Sequence, residues 1–172
     1  EEIESIAESD IALPIGYGQT ISQPRTVAFM LELLDPAPGQ KILDVGSGSG
    51  WTTALLSQIV GAQGKVIAFE IIENLKVFGE KNVDKFGFIK NGIAKIICAD
   101  GSHGYPEEAP FDRILVSASG KEIPEPLKNQ LKVEGKLVMP VEDSLVMLEK
   151  ISEKDFRKEE YPGFVFVSLI TR

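Results

Sequence analysis

The chain has 172 residues, of which 43% are hydrophobic and 26% charged, and its formal net charge is −8. This length and composition fit one hydrophobic core and exclude a disordered tail, a disulfide scaffold and a chain of several domains. The acidic balance argues against nucleic acid as a partner, because phosphate backbones are bound by clustered Lys and Arg.

The single cysteine, Cys98, and the single histidine, His103, leave no intrachain disulfide and no set of zinc ligands. No apolar run approaches the ~20 residues of a bilayer-spanning helix, and no signal sequence opens the chain. We therefore expect a metal-free, cytoplasmic protein, a monomer without a membrane partner. Cys98 is expected in the core and His103 in an ordinary loop.

The first part of the chain predicts an acidic lead-in, a loop and a helix. Residues 1–10 are expected to be solvated, and residues 12–24 form a loop because prolines and glycines interrupt any regular pattern. Ser22 is expected to cap a helix with apolar residues at helical spacing. These apolar residues are Val27, Met30, Leu31 and Leu34.

From Lys41 onward, short apolar runs alternate with helical patterns, as is typical of βαβ units and a parallel sheet. We predict strands over residues 41–45, 65–70, 94–98, 112–117, 136–141, 145–151 and 163–169. We predict helices over 51–60, 73–86 and 124–131, with a short turn near 105–108. The charged stretch 152–160 is interpreted as a solvated turn, too short for a crossover helix, so an antiparallel pair should close the sheet.

These elements predict a Rossmann-like α/β fold: a mostly parallel, twisted sheet with helices on both faces, closed by an antiparallel C-terminal strand pair. We expect a single domain over residues 1–172. Within it, residues 1–40 form an N-terminal loop and helix, and residues 41–172 form the Rossmann-like core.

The first core strand, K-I-L-D-V, runs directly into the glycine loop G-S-G-S-G. Only glycine lets a backbone turn so tightly and still approach a ligand closely. An NAD or FAD fingerprint would need its third glycine where Trp51 stands. Asp44 would repel a pyrophosphate but suits the sulfonium and ammonium groups of S-adenosyl-L-methionine (SAM). The loop therefore predicts a SAM site at Gly46, Ser47, Gly48 and Gly50.

Two further acids follow successive strands, at the sheet edge where ligands of open α/β sheets bind. Glu70 is placed to accept hydrogen bonds from both ribose hydroxyls, and Asp100 to accept one from the adenine amino group. A carboxylate that caps a strand or a helix is the structural alternative for each acid alone. Three acids after three consecutive strands favour a SAM site, which also includes Ile71 and Gly101.

Five segments together resemble the protein-L-isoaspartate O-methyltransferase family over nearly the whole chain. They are P-I-G-Y-G-Q-T-I-S-Q-P (14–24), D-V-G-S-G-S-G-W (44–51), A-D-G-S-H-G-Y-P (99–106), F-D-R-I-L-V-S-A (111–118) and E-I-P-E-P-L (122–127). The resemblance implies a SAM methyltransferase fold and methyl transfer from SAM to the free carboxylate of isoaspartyl residues in damaged proteins. This repair reaction leaves S-adenosyl-L-homocysteine (SAH), and its partners would be polypeptides containing isoaspartyl residues.

In that family the serine of the T-I-S segment is the active-site residue, so the resemblance implies Ser22 as the catalytic residue. The segment also lies along both ligands, which implies contacts of Gln19, Thr20 and Ile21 with SAM and of Thr20 and Ser22 with the substrate. The family's F-V-P-L segment lies along the bound peptide, which implies a substrate contact at Val167. A hydroxyl can hold one carboxylate oxygen in line with the methyl group, and the carboxylate needs no base because it is ionised at neutral pH. Helix capping is the structural alternative for Ser22.

Two positions on the substrate side depart from the family's usual pattern. F-V-S-L stands where the family has F-V-P-L, and Arg25 stands where Tyr or His is frequent. Arg25 either recognises a carboxylate or points into water. Few residues precede the P-I-G segment, so we expect a shorter N-terminal region than the family's. Two other functions stay open: a SAM-dependent methyltransferase of another small-molecule or peptide substrate, and a SAM-binding protein without catalysis.

Overall fold

The computed structural model describes residues 9–171 of the chain. The acidic lead-in predicted for residues 1–10 therefore falls almost entirely outside the described residues. Across residues 9–171, no helix combines the length and the apolar character needed to cross a membrane.

Strands and helices alternate through most of the described chain. The strands are β1 (Leu13–Gly16), β2 (Gln19–Ile21), β3 (Lys41–Val45), β4 (Lys65–Glu70), β5 (Ala94–Cys98), β6 (Phe111–Val116), β7 (Leu131–Val141), β8 (Ser144–Lys150) and β9 (Phe156–Pro162). The α-helices are α1 (Pro24–Leu34), α2 (Trp51–Val60), α3 (Glu73–Asp84) and α4 (Glu125–Asn129). Short 3-10 turns lie at Gly61–Gln63, Gly101–His103 and Pro106–Glu108.

Seven strands form the main sheet, in the order β5-β4-β3-β6-β7-β8-β9. The first five in that order run parallel, whereas β7, β8 and β9 pair antiparallel. Strands β4 and β5 lie on one side of β3, and β6 lies on its other side. The order in which successive strands join the sheet therefore reverses at β3, and open α/β sheets bind their ligands at such a point, beyond the carboxyl ends of the strands. The predicted α/β fold with an antiparallel C-terminal closure is confirmed.

Two apolar cores cover the two faces of this sheet. Alternate residues of a strand point to opposite faces, and β3 shows this with Leu43 and Val45 in one core and Ile42 in the other. Helices α1 and α2 contribute to the Ile42 core, whereas Leu127 of α4 packs into the opposite core. Asp44 therefore points to the α1 and α2 side of the sheet.

The predicted C-terminal strand at 163–169 is wrong, because β9 occupies Phe156–Pro162 and covers most of the stretch interpreted as a solvated turn. β9 is the outer strand of the sheet, where charged side chains can alternate without an apolar face. The chain reverses between β8 and β9 at Ser152, whose hydroxyl donates to Asp155 Oδ2 (2.7 Å). Residues 163–169 run back irregularly, with an isolated bridge between Ser119 and Ser168.

Four local predictions also need correction. The loop expected at 12–24 contains a two-stranded hairpin, β1 and β2, which turns at Tyr17 and Gly18 with positive φ. Ser22 does not cap α1, because Gln23 is the N-cap and no side chain caps this helix. Cys98 is exposed rather than buried, since β5 is an outer strand. The predicted helix ends are too long at two places, because α3 ends at Asp84 and α4 at Asn129.

Candidate active site

A cleft of about 800 Å³ opens beyond the carboxyl ends of β3, β4 and β6. The glycine loop and the β1–β2 hairpin both contribute to its lining. Many of the predicted site residues line the cleft: Gln19, Thr20, Ile21, Ser22, Gly46, Ser47, Gly48, Glu70, Ile71, Gly101 and Val167.

The glycines of the loop serve different purposes. All three have positive φ, which glycine adopts without strain. A Cβ on Gly48 would lie 3.1 Å from Ile15 Cδ1, so this glycine lets the hairpin close on the loop. A Cβ on Gly50 would lie 2.6 Å from the carbonyl oxygen of Gly79. Gly50 does not line the cleft but allows helix α3 to pack against the loop.

Glu70 ties the glycine loop to the end of β4. Its Oε2 accepts a hydrogen bond from the Gly48 N–H (2.8 Å), and its Oε1 accepts one from the Ile72 N–H (3.0 Å). The side chain is nearly buried yet faces the cleft. Each carboxylate oxygen has more than one lone pair, so both oxygens retain capacity for ligand hydroxyls.

Asp44 lies beneath the loop and is fully buried. The hydroxyls of Thr53 (2.7 Å) and Thr52 (3.1 Å) donate to its Oδ2. Burial raises the pKa of Asp44 to about 6, the two threonine hydrogen bonds oppose that rise, and the nearby charge of Glu70 adds to it. Asp44 is not part of the cleft lining, so the structure places it behind the loop rather than at its surface.

Three buried side-chain atoms within residues 9–171 have no hydrogen-bond partner: Asp44 Oδ1, Ser47 Oγ and Ser117 Oγ. All three surround the glycine loop, since Ser47 belongs to it and Ser117 directly follows the neighbouring strand β6. Buried polar groups are nearly always hydrogen-bonded in folded proteins. Ser47 and Ser117 line the cleft, so a polar ligand bound there can complete their hydrogen bonds, whereas Asp44 lies behind the loop.

A second cavity of about 350 Å³ adjoins the cleft on the side of α1. The two share Thr20, Ser22, Ser117 and Val167, so these residues stand where the cavities meet. The described lining of the second cavity carries hydroxyl, amide and apolar side chains and no charged side chain. The three residues predicted to contact the substrate, Thr20, Ser22 and Val167, are therefore brought together at this junction.

Asp100 stands apart from the cleft lining. Its Oδ1 accepts a hydrogen bond from the Ser102 N–H (2.8 Å), and His103 Nε2 lies 3.7 Å from its Oδ2. The residue borders an open depression beside β5, whereas the next residue, Gly101, faces the cleft. Asp100 thus lies at the rim of the cleft on the β5 side.

Arg25 points away from both cavities. Its backbone N–H donates to Asp10 Oδ1 (2.8 Å), and its Nε lies 3.5 Å from Asp10 Oδ2. The guanidinium is largely exposed, with 88% of its side chain accessible. Of the two interpretations of Arg25, the structure favours the solvent-facing one.

Sequence reasoning missed residues that complete the site, among them Ile15 in the hairpin and Ser117 after β6. The signal for Ser117 was its position at the carboxyl end of a parallel strand, the same signal that singled out the three acids. A single serine carries little information alone, and the burial of its hydroxyl depends on segments distant in the sequence.

Comparison with known proteins agrees with this geometry. A family model described as protein-L-isoaspartate(D-aspartate) O-methyltransferase matches residues 1–172. The protein-L-isoaspartate O-methyltransferase of Methanopyrus kandleri is 45% identical over 99% of this chain and 76% of its own length. That of Aeropyrum pernix is 41% identical over 98% of this chain and 66% of its own length.

A solved structure agrees as well. A crystal structure from Plasmodium falciparum, described as a protein of this methyltransferase type in complex with SAH, matches with a TM-score of 0.87 and 31% identity. The match covers 98% of this chain and 84% of that one. The fold, the glycine loop and the matched family model agree: the chain belongs to the protein-L-isoaspartate(D-aspartate) O-methyltransferase family.

Proposed function

We propose that this protein transfers a methyl group from SAM to the free carboxylate of isoaspartyl residues in damaged polypeptides, with SAH as the second product. The observation that carries the proposal is the junction at Ser22. There, a cleft built on a glycine loop and lined by the carboxylate of Glu70 meets an uncharged, hydroxyl-lined cavity. One side suits a cationic nucleoside, and the other suits a carboxylate.

The residues of the cleft fit SAM. Glu70 has remaining acceptor capacity for the ribose hydroxyls, and Ser47 Oγ in the glycine loop lacks a partner. Asp44, buried behind the loop, adds a second carboxylate nearby. Two carboxylates close to the loop favour a positively charged ligand over a phosphate. When bound, SAM supplies a methyl group attached to a positively charged sulfur.

The protein's own residues contribute by positioning the two reactants. An isoaspartyl carboxylate is ionised at neutral pH, so no general base has to remove a proton from it. Ser22 and Thr20 hold the carboxylate at the junction of the two cavities, and one oxygen is directed toward the cleft. Correct orientation of two bound reactants alone can supply a large part of the rate enhancement.

The proposal assigns roles to the remaining candidate residues. Gln19, Ile21, Ile71 and Gly101 line the cleft and contact SAM. Asp100, at the rim, accepts a hydrogen bond from the adenine amino group. Val167 lies beside the bound polypeptide, because it borders both cavities.

We also propose that the protein acts in the cytoplasm as a single-domain monomer and does not bind nucleic acid or membranes. The net charge of −8 supports the exclusion of nucleic acid, since it opposes binding to phosphate backbones. Cys98 is the single cysteine of the chain, so no intrachain disulfide calls for an oxidising compartment.

The test is transfer of radiolabelled methyl from SAM to a short peptide with one isoaspartyl residue, beside the same peptide with normal aspartate. The expected result is label in the isoaspartyl peptide alone, with inhibition by added SAH. Absence of label in both peptides, with SAM binding still measured by calorimetry, would contradict the proposal. That outcome would point to another methyl acceptor or to SAM binding without catalysis.

A further inference from the structure

Ser117 combines two properties that no other described residue shares. It borders both the SAM cleft and the second cavity, and its hydroxyl oxygen is buried without a hydrogen-bond partner. Thr20, Ser22 and Val167 also border both cavities but are not among the residues with unpartnered buried atoms. Ser117 therefore carries a buried hydrogen-bonding group without a partner beside the junction of the two cavities.

The backbone holds Ser117 firmly in place. Its N–H donates to the carbonyl oxygen of Val45 (2.9 Å), which continues the parallel pairing of β3 and β6 by one residue. A Cβ on Gly46 would lie 3.9 Å from the Cβ of Ser117, so the hydroxyl stands directly beside the glycine loop. A group fixed by central sheet strands is already ordered before a ligand arrives, which favours binding.

The second cavity needs neutral donors if it is to bind a carboxylate. No charged side chain belongs to its described lining, and the nearby Arg25 interacts with Asp10 instead. Hydroxyls can donate to a carboxylate without forming an ion pair that would stabilise its charge in the ground state. A nucleophilic carboxylate held this way remains reactive, because interactions favour the reaction only when they are stronger in the transition state.

We propose that Ser117 is a second substrate-binding hydroxyl, which donates a hydrogen bond to the acceptor carboxylate together with Ser22. The inference rests on the proposed function, since it concerns the same acceptor. It extends the site from the T-I-S segment to the end of β6. The two hydroxyls come from different parts of the chain. The carboxylate can therefore bind to both of them only when the β1–β2 hairpin lies against the main sheet.

The test compares Ser117→Ala with Ser117→Thr, which keeps the hydroxyl, and with the control Ser119→Ala. Ser119 lies two residues away, outside both cavity linings, and its hydroxyl donates to the Glu142 carbonyl oxygen (3.0 Å). In Ser117→Ala we expect kcat/KM for an isoaspartyl peptide to fall about 10- to 100-fold, the usual effect of losing a hydrogen bond to a charged group. Ser117→Thr and Ser119→Ala should stay within about threefold of the wild type.

Two further measurements separate substrate binding from structural damage. The melting temperature of Ser117→Ala should be unchanged or higher, because its hydroxyl has no partner to lose in the folded chain. Its affinity for SAH by calorimetry should equal that of the wild type. Unchanged kcat/KM in Ser117→Ala, or an equal loss of SAH affinity, would overturn the inference.

The inference can fail separately from the proposed function. Calorimetry of the SAH-loaded protein with the isoaspartyl peptide measures binding without any transfer. Weaker binding by Ser117→Ala supports the role of Ser117 even if the wild type transfers no methyl group. Equal binding by the variant and the wild type, or no binding by either, overturns it.

Discussion

Among individual residues, Asp44 offers the sharpest test of the electrostatics. Burial raises its pKa from 3.8 to about 6. The folded chain therefore retains a proton that the unfolded chain has already lost between about pH 4 and pH 6. Ionised Asp44 thus destabilises the fold above pH 6 by about 3 kcal/mol, and this cost disappears below about pH 4.

Asp44→Asn should consequently raise the free energy of unfolding at pH 7 by up to about 3 kcal/mol, and this advantage should shrink as the pH falls toward 4. Urea unfolding at both pH values measures the difference. Asp112→Asn is the control, because it should lower rather than raise the free energy of unfolding at pH 7. Burial favours a higher pKa for Asp112, but hydrogen bonds from Lys132 and from the Lys41 N–H outweigh it and lower the pKa. A pH-independent effect of Asp44→Asn would contradict the argument.

Ser22 separates catalysis from stability. Its side chain does not cap α1, so Ser22→Ala should leave the melting temperature within about 2 °C of the wild type. Methyl transfer to an isoaspartyl peptide should fall by about 100-fold, because the carboxylate loses an orienting hydroxyl. Parallel radiolabel and calorimetric assays check this. Full activity in the variant would remove Ser22 from its proposed role.

At the scale of elements, the packing of α3 against the glycine loop depends on two glycines that face each other, Gly50 in the loop and Gly79 in α3. Gly50 (φ +82°) and Gly39 (φ +79°) have nearly the same backbone conformation, but only a Cβ on Gly50 would meet other atoms. Alanine should cost about 1 kcal/mol at Gly39 through strain alone, and about 3 kcal/mol at Gly50 through strain and the clash with α3.

Chemical denaturation of the two variants measures that difference. Gly50→Ala should also weaken SAM binding, because moving α3 displaces the loop that lies against it, whereas Gly39→Ala should not. Equal destabilisation by both substitutions would mean that α3 can move aside at no cost.

Strands β3, β4 and β5 could be predicted from the sequence with the bounds that the structure shows, whereas β6, β7 and β8 begin earlier than predicted. Strands β3, β4 and β5 are apolar runs in the parallel part of the sheet, and such runs stand out against polar loops. The outer strand β9 could not be predicted, since its charges carry no apolar alternation. The β1–β2 hairpin could not be predicted either. Its strands have only four and three residues, and with Pro14 and Gly16 in β1 they show no alternation of apolar and polar residues.

The candidate site likewise contains residues that could be predicted from the sequence and residues that could not. The glycine loop and Glu70 carry local signals, since a tight turn and an acid after a strand can be recognised within a few residues. Ser117 and Ile15 belong to the site only because the hairpin and the end of β6 approach the loop from distant parts of the chain. Contacts of that kind depend on the assembled sheet.

For the whole molecule, the unpartnered atoms at the cleft predict that ligand binding and stability are linked. SAH at 100 times its dissociation constant should stabilise the fold by about 2.7 kcal/mol, which raises the melting temperature by about 5–10 °C for a chain of this size. Thermal unfolding with increasing SAH measures the shift. Adenosine, which lacks the amino acid part, should give a smaller one. A melting temperature that does not respond to SAH would contradict SAH binding to the folded state.

The outer strand β9 affects how this protein interacts with damaged, partly unfolded polypeptides. Partly unfolded chains carry free backbone groups that can add to an open sheet edge and start aggregation. β9 presents four consecutive charged residues, 157–160, and ends at Pro162, which has no N–H to offer. Such an edge is a poor template for a further strand. With such an edge, a protein can bind damaged polypeptides and release them repeatedly without joining their aggregates.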